Sequence, residues 1–211
     1  MPHFDNYFTI GTYVFSFLIG GVIVFLANFK KIIAKFRELQ TPQIETNFIR
    51  IHSQIDELLT ELRLKLQCCR TGIIKFHNGG HFFDGTSILK FTTTHESCEL
   101  GVVSSMDSPQ GQLITRYVDK IKLLEKNDAE IYYTIDLKDS YFKGYLESRG
   151  AVSFSILPFE CEKGFKMGYI LAEWCDYTGV ENTDKNKLKE LIRYYSRMIN
   201  TLLINKKQCQ T

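Results

Sequence analysis

Residues Val152 to Trp174 read VSFSILPFECEKGFKMGYILAEW and decide the fold. Two runs rich in β-branched and aromatic residues, Val152 to Glu160 and Met167 to Trp174, flank a glycine-containing loop, which is the pattern of a β-hairpin. Pro158 lies inside the first run. Because proline cannot donate a hydrogen bond to a neighbouring strand, it predicts an edge position or a bulge. We expect the Trp174 indole to pack inward against the core.

A second pair of predicted strands lies upstream of this hairpin. Thr71 to His77 and Ser87 to Thr94 are rich in β-branched residues, and the segment HNGGHFFDG between them has turn chemistry, with Asn78-Gly79 suited to positive φ. The residues between the two hairpins predict a helix, a short strand and a short helix, over 112–125, 131–135 and 139–148. Strands joined by short turns favour an antiparallel sheet.

Two long helices enclose these strands in the sequence. The first runs from about Gln43 to Cys68, after Thr41-Pro42 interrupts a preceding helix over Lys30 to Leu39. Its apolar residues alternate at steps of four and three, which fits either a coiled-coil seam or one face packed on the sheet: Ile44, Phe48, Ile51, Ile55, Leu58 and Leu62. The second runs from Thr183 to Asn205 with one apolar stripe. The predicted fold class is α+β, with the terminal helices covering one face of the sheet.

The N-terminal segment Tyr7 to Phe29 carries no charged residue, and about 20 mostly apolar residues are enough for a helix to cross a bilayer. We therefore predict a single transmembrane helix, which stays uncleaved because no Lys or Arg precedes it and no cleavage site follows. The residues expected to form this anchor are Phe15, Leu18, Gly20, Gly21, Val24 and Leu26.

Positive charge follows the predicted span closely and sets its expected orientation. The N-terminus would face outward and the remaining chain would lie in the cytoplasm, attached to the inner membrane. Four residues would contact lipid headgroups or act only as a stop-transfer signal: Lys30, Lys31, Lys35 and Arg37. In that compartment the six cysteines would be reduced thiols that behave as small buried hydrophobes.

Charge and motif content exclude several other classes. The formal net charge is +2, and no basic stripe with interleaved aromatic residues appears, so we expect no nucleic-acid partner. The HNGG sequence is not followed by Lys-Ser or Lys-Thr and is therefore not a phosphate-binding loop. The expected organisation is an anchor over 1–29, a basic linker over 30–43, one domain over 44–206 and a tail over 207–211.

The first predicted hairpin carries a resemblance to a known family. A strand ends in His-Asn-Gly, a glycine-containing loop follows, and the next strand has a lysine and a Thr run before a glutamate: Phe76, His77, Asn78, Gly79, Gly85, Lys90, Thr92, Thr94 and Glu96. With the order of elements, this resembles a GAF-type domain, the small sensor fold related to PAS domains. It looks closer still to a GAF-like group in phage and bacterial membrane-anchored proteins. The resemblance covers Ile44 to Lys206, and Gly168 and Trp174 fit the last two strands.

The resemblance implies a non-catalytic sensor or interaction domain without a cofactor, which binds a small ligand or a protein partner. It also implies a homodimer through the helices over 44–66 and 183–205. The cyclic-nucleotide motif of GAF domains, Asn-Lys-x-x-x-Phe-x-x-x-Asp-Glu, has no match, and no Cys-and-His pattern for a bilin stands out. The candidate ligand-binding residues are His77, Asn78, Gly79, His81, Lys90, Thr92, Thr94 and Glu96.

Other functions remain open for the same polar cluster. In a metal-dependent hydrolase, His77, His81 and His95 would hold the metal with Glu96. In an enzyme without a metal, Cys98 or Ser97 would be the nucleophile and the neighbouring His95 would be the base. The cluster would otherwise only hold the hairpin loop through side-chain hydrogen bonds from His77 and Asn78. A further alternative is a phage membrane protein of the lysis or host-takeover class, such as a holin regulator.

Overall fold

The computed structural model describes residues 4–106, 110–160, 164, 166–181 and 184–203, without the side chains of 4–12, 14, 16, 18, 23, 27, 37–45 and 160. The chain divides into two compact units, Met1–Arg50 and Ile51–Thr211. One helix, α1 (Phe4–Leu66), begins in the first unit and ends in the second. The predicted interruption at Thr41-Pro42 is wrong, because the helical residues on both sides outweigh the loss of one hydrogen-bond donor at the proline.

The predicted membrane anchor is also wrong. Over the residues that the structure describes, none of the helices contains a stretch long and apolar enough to cross a membrane. Freedom from charge is a weaker criterion for a membrane span than length and apolar character taken together. The predicted inner-membrane location, with the N-terminus outside, depended on this span and is therefore not supported.

The residues assigned to that anchor lie along the first part of α1. Those with described side chains are exposed, namely Phe15, Gly20, Gly21, Val24 and Leu26, whereas the side chain of Leu18 lies outside the described residues. Among the four basic residues that follow, Lys30, Lys31 and Lys35 are exposed and the side chain of Arg37 is not described. A headgroup contact for these residues depended on the span and is not retained.

The second unit is built around a six-stranded sheet in the order β3-β2-β1-β6-β5-β4, and every neighbouring pair is antiparallel. Its strands are β1 (Arg70–His81), β2 (Ser87–Cys98), β3 (Gln112–Leu113), β4 (Ile131–Tyr133), β5 (Ser153–Glu160) and β6 (Lys166–Trp174). Both predicted hairpins are confirmed, and the pairing of β1 with β6 joins them into one sheet. Because β4 pairs only with Ser153 to Ser155, Pro158 lies at a local edge, as predicted.

Long helices cover one face of this sheet. The part of α1 from Ile51 to Leu66 and α5 (Lys185–Leu203) enclose a core that includes Leu59, Ile73, Trp174 and Ile199, and Trp174 is only 1% exposed. The apolar stripe of α1 therefore packs on the sheet in this unit, which is the second of the two alternatives for its period. A short helix, α4 (Thr178–Glu181), precedes α5.

Two short helices cover the other face of the sheet. The sequence predicted these helices but not their position on that face. They are α2 (Val118–Glu125) and α3 (Tyr141–Ser148), and they close a second core that includes Phe91, Tyr117 and Tyr169. The predicted helix over 112–125 is shorter than expected because its first residues pair with β2 as β3, and a 3-10 turn over Ile114–Tyr117 follows. Ser140 caps α3 by accepting a hydrogen bond from the backbone N–H of Lys143 at 3.3 Å.

The turn of the first hairpin lies later than predicted. Asn78 pairs with Leu89 inside the ladder, so β1 extends through the expected turn to His81. The chain reverses at 82–86 instead, where the N–H of Gly85 donates to the carbonyl oxygen of Phe82 at 2.9 Å. Gly85 has φ +82°, which explains why glycine occupies this position.

The expectation of six reduced cysteines is corrected by a disulfide between Cys69 and Cys175. Pairing of Arg70 with Glu173 places the start of β1 beside the end of β6, so the two Cα atoms lie 5.8 Å apart. Cys68 and Cys98 are free, and Cys68 is buried.

Candidate functional site

The predicted ligand-binding residues of the first hairpin are held by local hydrogen bonds. The ring Nε2 of His77 lies 2.9 Å from the hydroxyl oxygen of Thr92, and that oxygen accepts the backbone N–H of Gly111 at 3.0 Å. Since Thr92 accepts from Gly111, its own hydroxyl hydrogen can donate to the His77 ring. These contacts tie the hairpin to the loop before β3.

Neighbouring residues of the hairpin make similar local contacts. The Asn78 side-chain oxygen accepts the N–H of Gly80 at 2.9 Å, and the aliphatic chain of Lys90 lies so close to Gly79 that a Cβ there would approach its Cδ to 2.8 Å. His81 is exposed at the end of β1. The contacts fit the alternative in which polar side chains hold the hairpin, and a ligand-binding role for these residues stays a prediction.

Thr94 and Glu96 lie toward the other end of the same two strands. Glu96 pairs with Gly72, whereas His77 pairs with Lys90, so five residues of β1 separate the two positions. At about 3.4 Å per residue this is roughly 17 Å. The hydroxyl of Thr94 donates to the carbonyl oxygen of Ile73 at 3.3 Å. The predicted residues therefore form two groups instead of one site.

Glu96 belongs to a buried network of two arginines and two glutamates. Its Oε1 lies 3.3 Å from Nε of Arg70 and 3.5 Å from Nη2 of Arg149, and Arg149 also lies 3.0 Å from Oε2 of Glu173. Arg70 pairs with Glu173 as well. Each of the four side chains is at most 8% exposed. The network is neutral overall, and each charge in it has a partner.

Hydrogen bonds keep Glu96 ionised inside this network. Burial alone would raise the pKa of its carboxyl group, but hydrogen bonds from Ser104 and Ser105 and the charge of Arg70 lower it overall. The Ser104 hydroxyl donates to Oε2 at 2.6 Å and the Ser105 backbone N–H does so at 2.7 Å. The loop after β2 is thereby fixed to the sheet.

A lone buried amine lies on the same face of the sheet. The Nζ atom of Lys120, on α2, lies 3.7 Å from the ring centroid of Phe91, 4.2 Å from that of Tyr117, 5.2 Å from that of Tyr169 and 5.5 Å from that of Phe142. It donates a hydrogen bond to the Tyr169 hydroxyl oxygen at 2.8 Å. We call these five residues the Lys120 cage, and Lys120 itself is 3% exposed.

The cage compensates the charge of Lys120 only in part. Burial lowers the pKa of Lys120 well below its ordinary value, Arg149 acts in the same direction, and Glu173 opposes both. Within the described part of the chain, no carboxylate forms an ion pair with Lys120. Aromatic faces stabilise a nearby cation, but by only about 2 kcal/mol each when desolvated. The amine therefore has fewer strong partners than a buried ammonium group needs.

The opposite face of the sheet holds a pair of histidines. Nδ1 of His52, on α1, lies 2.5 Å from Nε2 of His95, and Nδ1 of His95 lies 3.0 Å from the Thr94 hydroxyl oxygen. Burial, His52 and the nearby Lys75 charge lower the pKa of His95 to about 4. Both rings can thus be neutral near pH 7, and one directed chain of hydrogen bonds links α1 to β2.

The metal-site alternative has no support in the geometry. Over the residues placed by the structure, no group of three or more His, Cys, Asp or Glu side chains could hold a metal ion. His81 lies in the exposed hairpin tip, whereas His95 is buried beside α1. The four proposed metal ligands are therefore not brought together.

Comparisons with known proteins identify the fold. No protein-family model matches the chain, and no curated protein does. A phycoerythrobilin-bound GAF domain from a cyanobacterial phytochrome matches with 16% identity, 79% of this chain, 91% of that chain and a TM-score of 0.55. The GAF domain region of a membrane protein, described as putative, from Geobacter sulfurreducens PCA matches with 14% identity, 76% of this chain, 97% of that chain and a TM-score of 0.52.

A third solved structure agrees with these two. A far-red cyanobacteriochrome photoreceptor covers 83% of this chain and 100% of its own, with 12% identity and a TM-score of 0.55. The chain therefore has a GAF-like fold, as its sequence resemblance predicted. At these identities the similarity defines the fold and carries no ligand or activity with it.

Sequence reasoning did not find the Lys120 cage. Lys120 is three residues after Tyr117 and four before Leu124, so it shares one helical face with two buried apolar residues. The signal in the sequence was a lysine at helical spacing from apolar residues. The other three aromatic partners come from β2, β6 and α3, and nothing local in the sequence connects them to Lys120.

Proposed function

We propose that this chain is a GAF-like sensor domain that binds a small ligand at the Lys120 cage. The observation that carries the proposal is the buried amine of Lys120, enclosed by four aromatic rings and one hydroxyl group without a carboxylate partner among the described residues. Buried ionisable groups with strongly shifted pKa values are concentrated at functional sites.

The free-energy cost of burying Lys120 supports a functional role for this residue. Burying an ammonium group costs several kcal/mol unless it is paired, and a leucine or methionine at position 120 would fill the same space without that cost. Packing alone therefore does not require an amine here. The amine would donate a hydrogen bond to a ligand that carries a carboxylate or another strong acceptor, and a bound carboxylate would favour the charged form of the amine.

The cage is closed in the structure, and this supports a mechanism for sensing. Tyr117 and Lys120 are buried where the 3-10 turn over Ile114–Tyr117 and α2 cover the sheet. A ligand would enter as this segment moves outward, and it would favour the open arrangement by its difference in affinity for the two arrangements. Bilins are bound by two of the similar GAF domains, but our proposal rests on the chemistry of Lys120 and names a smaller, acceptor-bearing ligand.

Replacing Lys120 with methionine tests the proposal. The change removes the amine and keeps most of the volume, so we expect Lys120→Met to raise the melting temperature of the purified full chain while it abolishes ligand binding. Native mass spectrometry would detect a copurifying ligand, and a thermal-shift screen of carboxylate metabolites would find one otherwise.

The matched control is Lys122→Met on the same helix, where the side chain is 69% exposed. We expect this variant to keep both the wild-type melting temperature and the ligand. The proposal fails if Lys120→Met retains the bound ligand or the thermal shift. It fails equally if the variant unfolds at a lower temperature and no ligand is found, because Lys120 would then be structural.

We also propose that two copies associate through the exposed sides of α1 and α5, the homodimer implied by the resemblance. Support comes from a groove of about 500 Å³ between these helices, lined by Leu58, Met198 and Leu202 together with polar residues. Met198 is 38% exposed, whereas other apolar residues of α5 pack on the sheet. A second copy that presents the same helices would cover these side chains.

Analytical ultracentrifugation of the full chain tests the dimer. We expect a dimer at tens of micromolar for the wild type and a folded monomer for Leu58→Asp, since a carboxylate would be buried unpaired in the interface. Leu64→Asp makes the same change at a residue of α1 that is 62% exposed and lies outside the groove, and it should leave the dimer intact. A wild-type monomer, or a Leu58→Asp dimer of equal stability, would contradict the proposal.

A further inference from the structure

A second groove lies on the α5 side of the sheet and is polar. Its volume is about 360 Å³, and it is formed where α5 crosses the free edge of β5 beyond β4. Four of its residues, Arg193, Ser196, Arg197 and Asn200, follow one another at helical spacing and therefore share one face of α5. This groove is separate from the Lys120 cage, because α5 and α2 cover opposite faces of the sheet.

The lining of the groove favours a negatively charged ligand. Arg193 and Arg197 supply two guanidinium groups one helical turn apart. The carboxylate of Asp128 forms an ion pair with Arg193. No ion pair among the described residues includes Arg197, which is exposed. Two arginines against one carboxylate leave a net positive charge at the groove.

Neutral donors complete the lining. Ser196 lies between Arg193 and Arg197 on the same face of α5, lines the groove and is only 5% exposed. Asn127, which follows the end of α2 with φ +50°, a conformation that asparagine tolerates, lines the groove as well. Guanidinium, hydroxyl and amide groups are the donors that match the oxygens of a phosphate group.

From this arrangement we infer that the groove binds a small phosphate-bearing molecule. The phosphate would lie between Arg193 and Arg197, with Ser196 and Asn127 donating hydrogen bonds to its oxygens. The remaining volume and the edge of β5 at Pro158 leave room for the rest of a compact metabolite. The site is independent of the sensor proposal, since it uses no residue of the Lys120 cage.

Titration of the full chain with inorganic pyrophosphate, followed by calorimetry, tests the site. We expect saturable binding that weakens as salt rises, and a loss of about tenfold or more in affinity for Arg197→Gln, because one charged hydrogen-bond donor is removed. Ser196→Asp would abolish binding by placing a carboxylate between the two arginines. Lys187→Gln on the same helix removes an exposed charge outside the groove and should leave the affinity unchanged.

Succinate is the second probe, since it carries two carboxylates and no phosphate. We expect it to bind at least tenfold more weakly than pyrophosphate. The inference is overturned if pyrophosphate does not saturate the protein, if Arg197→Gln binds as tightly as the wild type, or if succinate binds equally well. Circular dichroism of each variant shows that a lost signal does not come from unfolding.

Discussion

Lys120 and Arg70 are both buried basic residues on the same face of the sheet, and their surroundings compensate them differently. Arg70 contacts the carboxylates of Glu96 and Glu173, so its charge is neutralised by direct pairs. Lys120 has aromatic rings and one hydroxyl group around it. This contrast assigns a structural role to the arginine network and leaves the amine as the candidate for ligand contact.

The structural role of the network gives a prediction at Glu173. Glu173→Gln would leave Arg70 and Arg149 with Glu96 as their remaining carboxylate, in a site where all four side chains are at most 8% exposed. Removing one partner of a buried ion pair costs about 3–5 kcal/mol. We expect a loss of this size in the free energy of unfolding, measured by urea denaturation.

The control for that experiment is Glu61→Gln. Glu61 pairs with Lys65 at 2.8 Å, but both side chains are about half exposed. Exposed ion pairs contribute little to stability because solvent screens them, so we expect a small change. Similar losses for the two variants would mean that burial of the network contributes nothing beyond a surface pair.

At the scale of single elements, two glycines differ in the space around them. The surroundings of Gly168 exclude a larger residue, whereas those of Gly144 do not. Gly168 lies in β6 between β1 and β5, where an added Cβ would overlap the carbonyl oxygen of Ile74 and come within 2.7 Å of the Phe159 ring. Gly144 lies inside α3, where an added Cβ would meet no side chain or neighbouring element within 4 Å. The close packing of three strands, and not backbone conformation, explains the first glycine.

Alanine substitution at both positions tests this explanation. We expect Gly168→Ala to lower the free energy of unfolding by about 1–3 kcal/mol because the strands must separate to accept the methyl group. Gly144→Ala should raise it by about 0.5–1 kcal/mol, since alanine restricts the unfolded chain and favours the helix. Chemical denaturation of both variants measures the difference. An equal effect at the two sites would contradict the packing argument.

The elements also show what the sequence could predict. The β5–β6 hairpin was predicted with nearly the observed boundaries, because β-rich runs and a glycine loop are local signals. The turn of the first hairpin was misplaced because Asn78 has turn propensity, yet its pairing with Leu89 extends the ladder. Similarly, Pro42 has a helix-breaking preference that α1 overrides. Local propensity failed where a longer element supplied competing hydrogen bonds.

The candidate sites were less predictable than the elements for a related reason. Arg70, Glu96, Arg149 and Glu173 come from β1, β2, the end of α3 and β6, and only the strand order brings them together. The predicted cluster was contiguous in sequence, but the β-ladder spreads it along two strands. Sequence proximity therefore identified the hairpin, whereas the buried sites depend on contacts between residues that are far apart in the sequence.

At the scale of the second unit, a disulfide links the two ends of the segment that forms the sheet of the GAF-like fold. The disulfide between Cys69 and Cys175 joins the start of β1 to the residue after β6, across a sequence separation of 106. It thereby encloses all six strands, α2 and α3 in a single covalent loop. A link across so long a loop restricts the unfolded chain strongly, and disulfides typically contribute about 2–4 kcal/mol.

Reduction should therefore destabilise this unit without changing its fold. We expect dithiothreitol to lower the melting temperature of the wild type by roughly 4 to 16 °C, which corresponds to that free energy for a chain of this size. Cys175→Ser should melt at the lower temperature with or without the reductant. Cys98→Ser, which replaces a free and partly buried thiol, should respond to the reductant as the wild type does. Intact mass under non-reducing conditions verifies the link in each sample, and a linked wild type whose melting temperature ignores the reductant would show that the disulfide does not stabilise the sheet.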